Sequence, residues 1–108
     1  MQGTASLAVF MFWRRTMVGR IESYIHSDSV TQNKGAAVVK VECATDFAAR
    51  TDGFKTFASK VAKLAYGANA ETWPDVIAVF PDIETERESL AQSLRETVSV
   101  TGIVVLNL

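Results

Sequence analysis

Ala37-Val38-Val39-Lys40-Val41-Glu42-Cys43-Ala44-Thr45-Asp46-Phe47-Ala48-Ala49-Arg50 is the stretch whose reading decides the fold, because the chain changes period within it. Ala37 to Glu42 alternates as a half-buried strand does, with Val39, Val41 and Cys43 on one face and Lys40 and Glu42 on the other. Past Arg50 the period lengthens. Asp52-Gly53-Phe54 opens a helix from about Phe54 to Tyr66, with Thr51 and Asp52 as capping candidates and Gly67 near its end. Phe54, Phe57, Ala58, Val61, Ala62, Leu64 and Ala65 form its buried side, and Lys55, Lys60 and Lys63 face water. Phe47 falls at the joint between strand and helix, flanked by Asp46 and Arg50. An aromatic at such a joint is either an inward anchor or an outward wedge.

Working outward, Arg20-Ile21-Glu22-Ser23-Tyr24-Ile25-His26 alternates loosely, with Ile21 and Ile25 on one face and Glu22, Tyr24 and His26 on the other. Ser27-Asp28-Ser29 and Gln32-Asn33-Lys34-Gly35 supply a polar turn, so the two β-type runs predict an antiparallel hairpin. Downstream, Thr72-Trp73-Pro74-Asp75 signals a short turn in which Thr72 can cap and Pro74 suits a first helical position. Pro81-Asp82 then opens a second long helix, with Ile83, Arg87, Leu90, Ala91 and Leu94 at helical spacing. Glu84, Glu86 and Glu88 near its start read as a solvated face favoured by the helix dipole. The tail, Val98-Ser99-Val100 and then Ile103-Val104-Val105-Leu106, is β-branched and reads as a closing strand. The expected fold is α+β, a small antiparallel three-stranded sheet with helices on one face, in the order β-β-α-α-β.

Composition removes several functional classes. A chain of 108 residues suits one domain with a modest core, and 48% hydrophobic with 21% charged residues is ordinary for a globular protein. A net charge of -1 argues against direct nucleic-acid binding, which needs a clustered basic surface; Arg14, Arg15 and Arg20 are the sole local cluster. The single Cys43 excludes an internal disulfide framework and fits a reduced, cytoplasmic setting. Cys43 reads as a small buried side chain, and with one histidine, His26, it makes no convincing metal site. Neither a phosphate-binding glycine motif nor a nucleophile elbow occurs, so no catalytic residue, cofactor or metal is assigned and the chain is not expected to be an enzyme.

Residues 1–18 stand apart as an N-terminal extension of the domain at 19–108. Ala5-Ser6-Leu7-Ala8-Val9-Phe10-Met11-Phe12-Trp13 is apolar but too short to span a bilayer, and no membrane partner is expected. Arg14 and Arg15 follow the apolar run, whereas a secretory signal places its charges before it. Two readings stay open: an element covering an open side of the domain, or a surface for self-association into a homodimer.

From Gly19 to Leu108 the chain resembles one core subdomain of elongation factor Ts, the guanine-nucleotide exchange factor of elongation factor Tu. Ser23-Tyr24-Ile25-His26, Val39-Lys40-Val41-Glu42-Cys43, Thr45-Asp46-Phe47, Ala49-Arg50 and Asp52-x-Phe54 carry the likeness. Glu86-Arg87-Glu88 and Glu96-Thr97-Val98 extend it. The resemblance implies a protein that binds GDP-bound elongation factor Tu and promotes GDP release in translation elongation. In that family the phenylalanine of Thr-Asp-Phe wedges between helices of the partner's nucleotide-binding domain and disturbs the groups holding magnesium and phosphate. Carried onto this chain, Phe47 is the wedge, Asp46 its polar neighbour, and Thr45 shapes the turn or caps the helix; Ala48 stands beside them, where the family pattern usually has valine. Full-length relatives also carry a helical N-terminal domain, a second core subdomain and further C-terminal contacts. Two other readings follow from having one subdomain: a module that recruits or sequesters elongation factor Tu without efficient exchange, or a structural, dimerising domain. On burial tendency alone Phe47 would be core; the motif context favours the outward direction.

Overall fold

The run from Ala37 forms the central strand of a three-stranded antiparallel sheet in the computed structural model, which describes residues 18–108. Strand β1 spans Val18–His26, β2 Gly35–Cys43 and β3 Ser99–Asn107, in the spatial order β1-β2-β3. Four helices lie between β2 and β3 in sequence: α1 (Asp46–Ala49), α2 (Asp52–Ala68), α3 (Trp73–Val79) and α4 (Asp82–Leu94). The α+β class, the antiparallel three-stranded sheet and the two long helices are as expected. Two short helices add to the expected order. One is α1; the other is α3, which turns the predicted Thr72–Asp75 turn into the first turn of a helix. Thr72 Oγ1 accepts from Asp75 N at 3.3 Å, and Pro74 occupies the first turn where no backbone donor is required. The apolar run Ala5–Trp13, and both readings of it, lie outside the described residues.

The hairpin between β1 and β2 is set by short side chains. Asp28 Oδ1 accepts from Val30 N at 2.8 Å and Thr31 N at 2.6 Å, and Asn33 takes the left-handed conformation at φ 52°. Register then runs from Val18 opposite Cys43 to His26 opposite Gly35. At the first of these ends the strands approach so closely that a Cβ on Gly19 would lie 2.0 Å from the Val41 carbonyl oxygen.

Ala37, Val39, Val41 and Cys43 of β2 point into the core, where Phe54, Phe57, Val61 and Ala65 of α2 meet them. Ile103 of β3 joins the same face, as does Val98 just before the strand. The inward residues of β3 change parity, from Val98 and Val100 to Ile103 and Val105, because pairing skips one residue where Lys40 faces Gly102 and Val41 faces Val100. That extra residue, Thr101, is a β-bulge that returns apolar side chains to the core on both sides.

Strand β1 inverts the usual alternation. Its inward face carries Arg20, Glu22, Tyr24 and His26, while Ile21 and Ile25 are exposed. The inward polar groups find partners: Arg20 Nε lies 2.8 Å from Glu22 Oε2, and Tyr24 Oη lies 2.9 Å from His26 Nδ1. The His26 ring stacks on Tyr66 of α2 with centroids 4.9 Å apart. On the opposite, outer face of the sheet, Val38, Val104 and Leu106 are exposed beside the two isoleucines. No helix among the described residues is long and apolar enough to cross a membrane.

Candidate partner-binding junction

Two tight caps build the turn that leaves β2. Thr45 stands in extended backbone (φ -128°, ψ 148°) as the N-cap of α1, and its Oγ1 accepts from Ala48 N at 3.2 Å. Six residues on, Thr51 repeats the device for α2, accepting from Phe54 N at 3.3 Å and donating to Ala48 O at 2.8 Å. Helix α1 is therefore a single turn clamped by a capping threonine at each end. Alone, four residues would not hold helical geometry, since nucleation costs more than one turn returns; the caps supply what the helix lacks.

Helical geometry then sorts the side chains. Ala48 and Ala49 fall on the side of α1 that meets the core and are buried, whereas Phe47 is 83% exposed. The four site residues read from the sequence thus separate: Thr45, Asp46 and Phe47 are exposed, and Ala48, 2% exposed, packs beneath them. Valine at Ala48 would enter the core rather than extend the exposed surface. Asp46 Oδ2 pairs with Arg50 Nη2 at 2.6 Å across one turn, an exposed i,i+4 contact of small energetic weight. It leaves a charged pair beside an uncovered aromatic ring.

A residue that local sequence did not mark completes the junction. Glu96, in the turn after α4, accepts from Ala44 N at 3.0 Å and Thr45 N at 3.1 Å through Oε1, and from the Thr45 hydroxyl through Oε2. The Thr45 hydroxyl bond leads in holding the Glu96 carboxyl below the ordinary glutamate value; desolvation opposes it, and the two backbone donors add to it. Glu96 lies 51 residues from Thr45, so no local pattern ties the two together. The one available signal is that Glu96-Thr97-Val98 belongs to the set of segments carrying the family resemblance.

Other candidates take structural places. The Cys43 thiol donates to Thr45 O at 3.2 Å, and burial pushes it above the ordinary thiol value, which disfavours the nucleophilic thiolate. Glu84 is no free member of a solvated face: Trp73 Nε1 donates to it at 2.9 Å and Arg87 Nε at 2.6 Å, while Arg87 Nη1 reaches the Val98 carbonyl at 2.8 Å. Glu86 is tied to Lys60 of α2, with Oε2 and Nζ 2.7 Å apart. Among the described residues, no group of three or more His, Cys, Asp or Glu side chains gathers to hold a metal ion. The junction offers an exposed aromatic beside a charged pair, on a turn held by two threonine caps.

The sequence is similar to curated proteins named elongation factor Ts. It is 43% identical over 92 residues to the one from Nitratidesulfovibrio vulgaris, covering 84% of this chain and 44% of that protein. Against the Herpetosiphon aurantiacus protein identity is 39% over 86 residues, covering 80% of this chain and 41% of the relative. Against that of Bordetella petrii it is 34% over 93 residues, covering 81% and 30%. The chain spans less than half the length of these relatives. No protein-family profile matches it.

Proposed function

Because this chain belongs to the elongation factor Ts family, we propose that it binds elongation factor Tu in its GDP-bound state and promotes GDP release during translation elongation. Phe47 is the wedge, Asp46 its polar companion at the contact, and Thr45 the residue that fixes their direction. The observation that carries the reading is Phe47 itself, a large aromatic left 83% exposed on a doubly capped turn. Aromatic residues are favoured as binding anchors, and a ring held on a short rigid turn loses little freedom when it inserts.

The available energy suits a modest exchanger. Full burial of a phenylalanine supplies about 1.5–3 kcal/mol, so covering the exposed 83% supplies roughly 1.2–2.5 kcal/mol. At 1.4 kcal/mol per decade that corresponds to about 7–60-fold in affinity. Where the ring and GDP compete for one arrangement of the partner, each weakens the other by the same factor. The partner supplies the nucleotide and the metal, and this chain the intrusion. Such a role belongs in the cytoplasm.

Two features support narrower readings. Asp46, Phe47 and Arg50, exposed together on one turn, form a small contact patch, which favours a module that binds without efficient exchange. The apolar outer sheet face at Ile21, Ile25, Val38, Val104 and Leu106 favours a self-associating domain. One experiment separates the three. Elongation factor Tu is loaded with a fluorescent GDP analogue, and release is followed with wild type and with Phe47→Ala, alongside binding and mass. Acceleration lost in the variant, with its melting temperature unchanged, supports exchange. Binding without acceleration supports the recruiting module; no binding and a doubled mass support the dimerising domain.

A further inference from the structure

We infer that Glu96 is the positioning residue of the wedge: its carboxylate, brought in from the far end of the chain, holds the Thr45 turn in the conformation that presents Phe47. The inference deepens the exchange reading above and rests on it for its functional consequence, but not for its structural one.

Ala44 N and Thr45 N converge on one carboxylate oxygen at 3.0 and 3.1 Å, and the Thr45 hydroxyl donates to the other. Two successive backbone N–H groups and a hydroxyl form a three-point chelate that a single side chain closes. It fixes the backbone of the last two residues before α1. It also fixes a proton. With the Thr45 O–H turned toward Glu96, the lone pairs of Oγ1 remain for Ala48 N, the capping bond of α1 at 3.2 Å. Thr45 is thus a relay: the carboxylate orients the hydroxyl, the hydroxyl caps the helix, and the helix carries Phe47 as its second residue.

Glu96 is itself held from behind. Arg95 closes α4 in the left-handed conformation (φ 58°, ψ 38°), and Glu96 N reaches back to Ala91 O at 3.1 Å. Two residues on, the Val98 carbonyl is held by Arg87 Nη1 at 2.8 Å. The carboxylate therefore comes from a turn pinned on both sides. The ion pairs among the described residues do not include Glu96, and its charge is met by neutral donors of the junction. That is the arrangement of a group that shapes a loop, rather than one held by a cation.

The test has two arms on the 108-residue chain. Amide hydrogen exchange is measured in wild type, Glu96→Ala and Glu96→Gln, reading Ala44, Thr45 and Ala48 against the core amides of Val39 and Val61. The expected result is at least about tenfold faster exchange at the three junction amides in Glu96→Ala with the core amides unchanged, a local opening. Glu96→Gln, which keeps one carbonyl acceptor, falls between. Unchanged junction amides overturn the inference whatever the partner does. Junction and core amides accelerating together in both variants also overturn it, because the role is then only general stability. In the second arm, GDP release from elongation factor Tu is followed against concentration. Glu96→Ala raises the half-maximal concentration about tenfold and leaves the maximal rate, since the competent turn is merely less populated. Phe47→Ala instead lowers the maximal rate. If wild type accelerates release, Phe47→Ala does not and Glu96→Ala matches wild type, the positioning role falls and the exchange reading stands. If wild type accelerates nothing, the exchange reading falls and the amide arm still decides on Glu96.

Discussion

Replacing Arg87 with methionine tests how the turn that carries Glu96 is anchored, and its cost follows from three contacts. The guanidinium donates to Glu84 through Nε at 2.6 Å, pairs with the same carboxylate through Nη2, and donates to the Val98 carbonyl through Nη1 at 2.8 Å. Val98 is fully buried, and the Arg87 and Glu84 side chains are only 22% and 28% exposed, so solvent replaces these bonds poorly. Methionine keeps the aliphatic packing and removes the donors. Hydrogen bonds to charged groups contribute about 1.5–3 kcal/mol, and a buried carbonyl left without its donor costs a similar amount, so the expected loss is about 2–3 kcal/mol. For a domain of this size that lowers the melting temperature on the order of 10 °C.

The pH dependence sharpens the test. The Arg87 hydrogen bond is the leading cause holding the Glu84 carboxyl below its ordinary value of 4.5; partial desolvation opposes it and the Trp73 donor aids it. A carboxyl depressed on folding contributes stability that is fully present above 4.5 and is lost as pH falls through its folded value. Wild type therefore loses this contribution in acid, and Arg87→Met has less of it to lose. Chemical denaturation across that window should show the gap between the two proteins narrowing as pH falls. In a Glu84→Gln background the Arg87→Met cost should shrink, because the charge it answers is gone. A melting temperature within about 2 °C of wild type, or a gap constant with pH, would refute the anchoring argument.

Two further substitutions probe the backbone. Arg95 occupies a left-handed cap that glycine adopts without a Cβ penalty, so Arg95→Gly should raise stability by about 0.5–1 kcal/mol and leave GDP release unaltered; a lower denaturation midpoint would contradict this. Gly19→Ala forces a Cβ to within 2.0 Å of the Val41 carbonyl oxygen, and the strands must separate to admit it. A loss of roughly 1–3 kcal/mol in urea unfolding is expected, and an unchanged midpoint would show that β1 yields freely at this end.

Strand β2 and helix α2 were legible because each sets a single side against one environment. The alternation of Val39, Val41 and Cys43 and the helical spacing of Phe54, Phe57 and Val61 meet in the same core. Strand β1 was legible as an element, but its orientation runs against hydropathy. Arg20 and Glu22 satisfy each other on the inward side, and Ile21 and Ile25 are left outside. The start of α3 showed in Thr72 and Pro74, while its extension to Val79 did not, since seven residues give too little of a 3.6-residue period to separate helix from turn. Glu84 looked solvated because acidic residues in a first helical turn usually are; its Trp73 partner sits on another helix. At the junction, Thr45 as a cap and Phe47 as an exposed aromatic could be anticipated from residue type and resemblance. Glu96 could not, because a hydrogen bond across 51 residues leaves no trace in local order.

That separation has a consequence for how the protein is made. On a ribosome, Thr45 emerges well before Glu96, by 51 residues, or about 3–10 s at 5–20 residues per second. Through that interval strand β2 and helix α2 can form locally, while the turn bearing Phe47 lacks its carboxylate. Contacts of long sequence separation are also those whose loop closure is slowest to be repaid. A nascent chain with a correct hairpin and first helix but without Glu96 therefore carries Phe47 on a turn that lacks this three-point clamp. The turn bearing Phe47 is thus clamped by a residue translated 51 positions after Thr45.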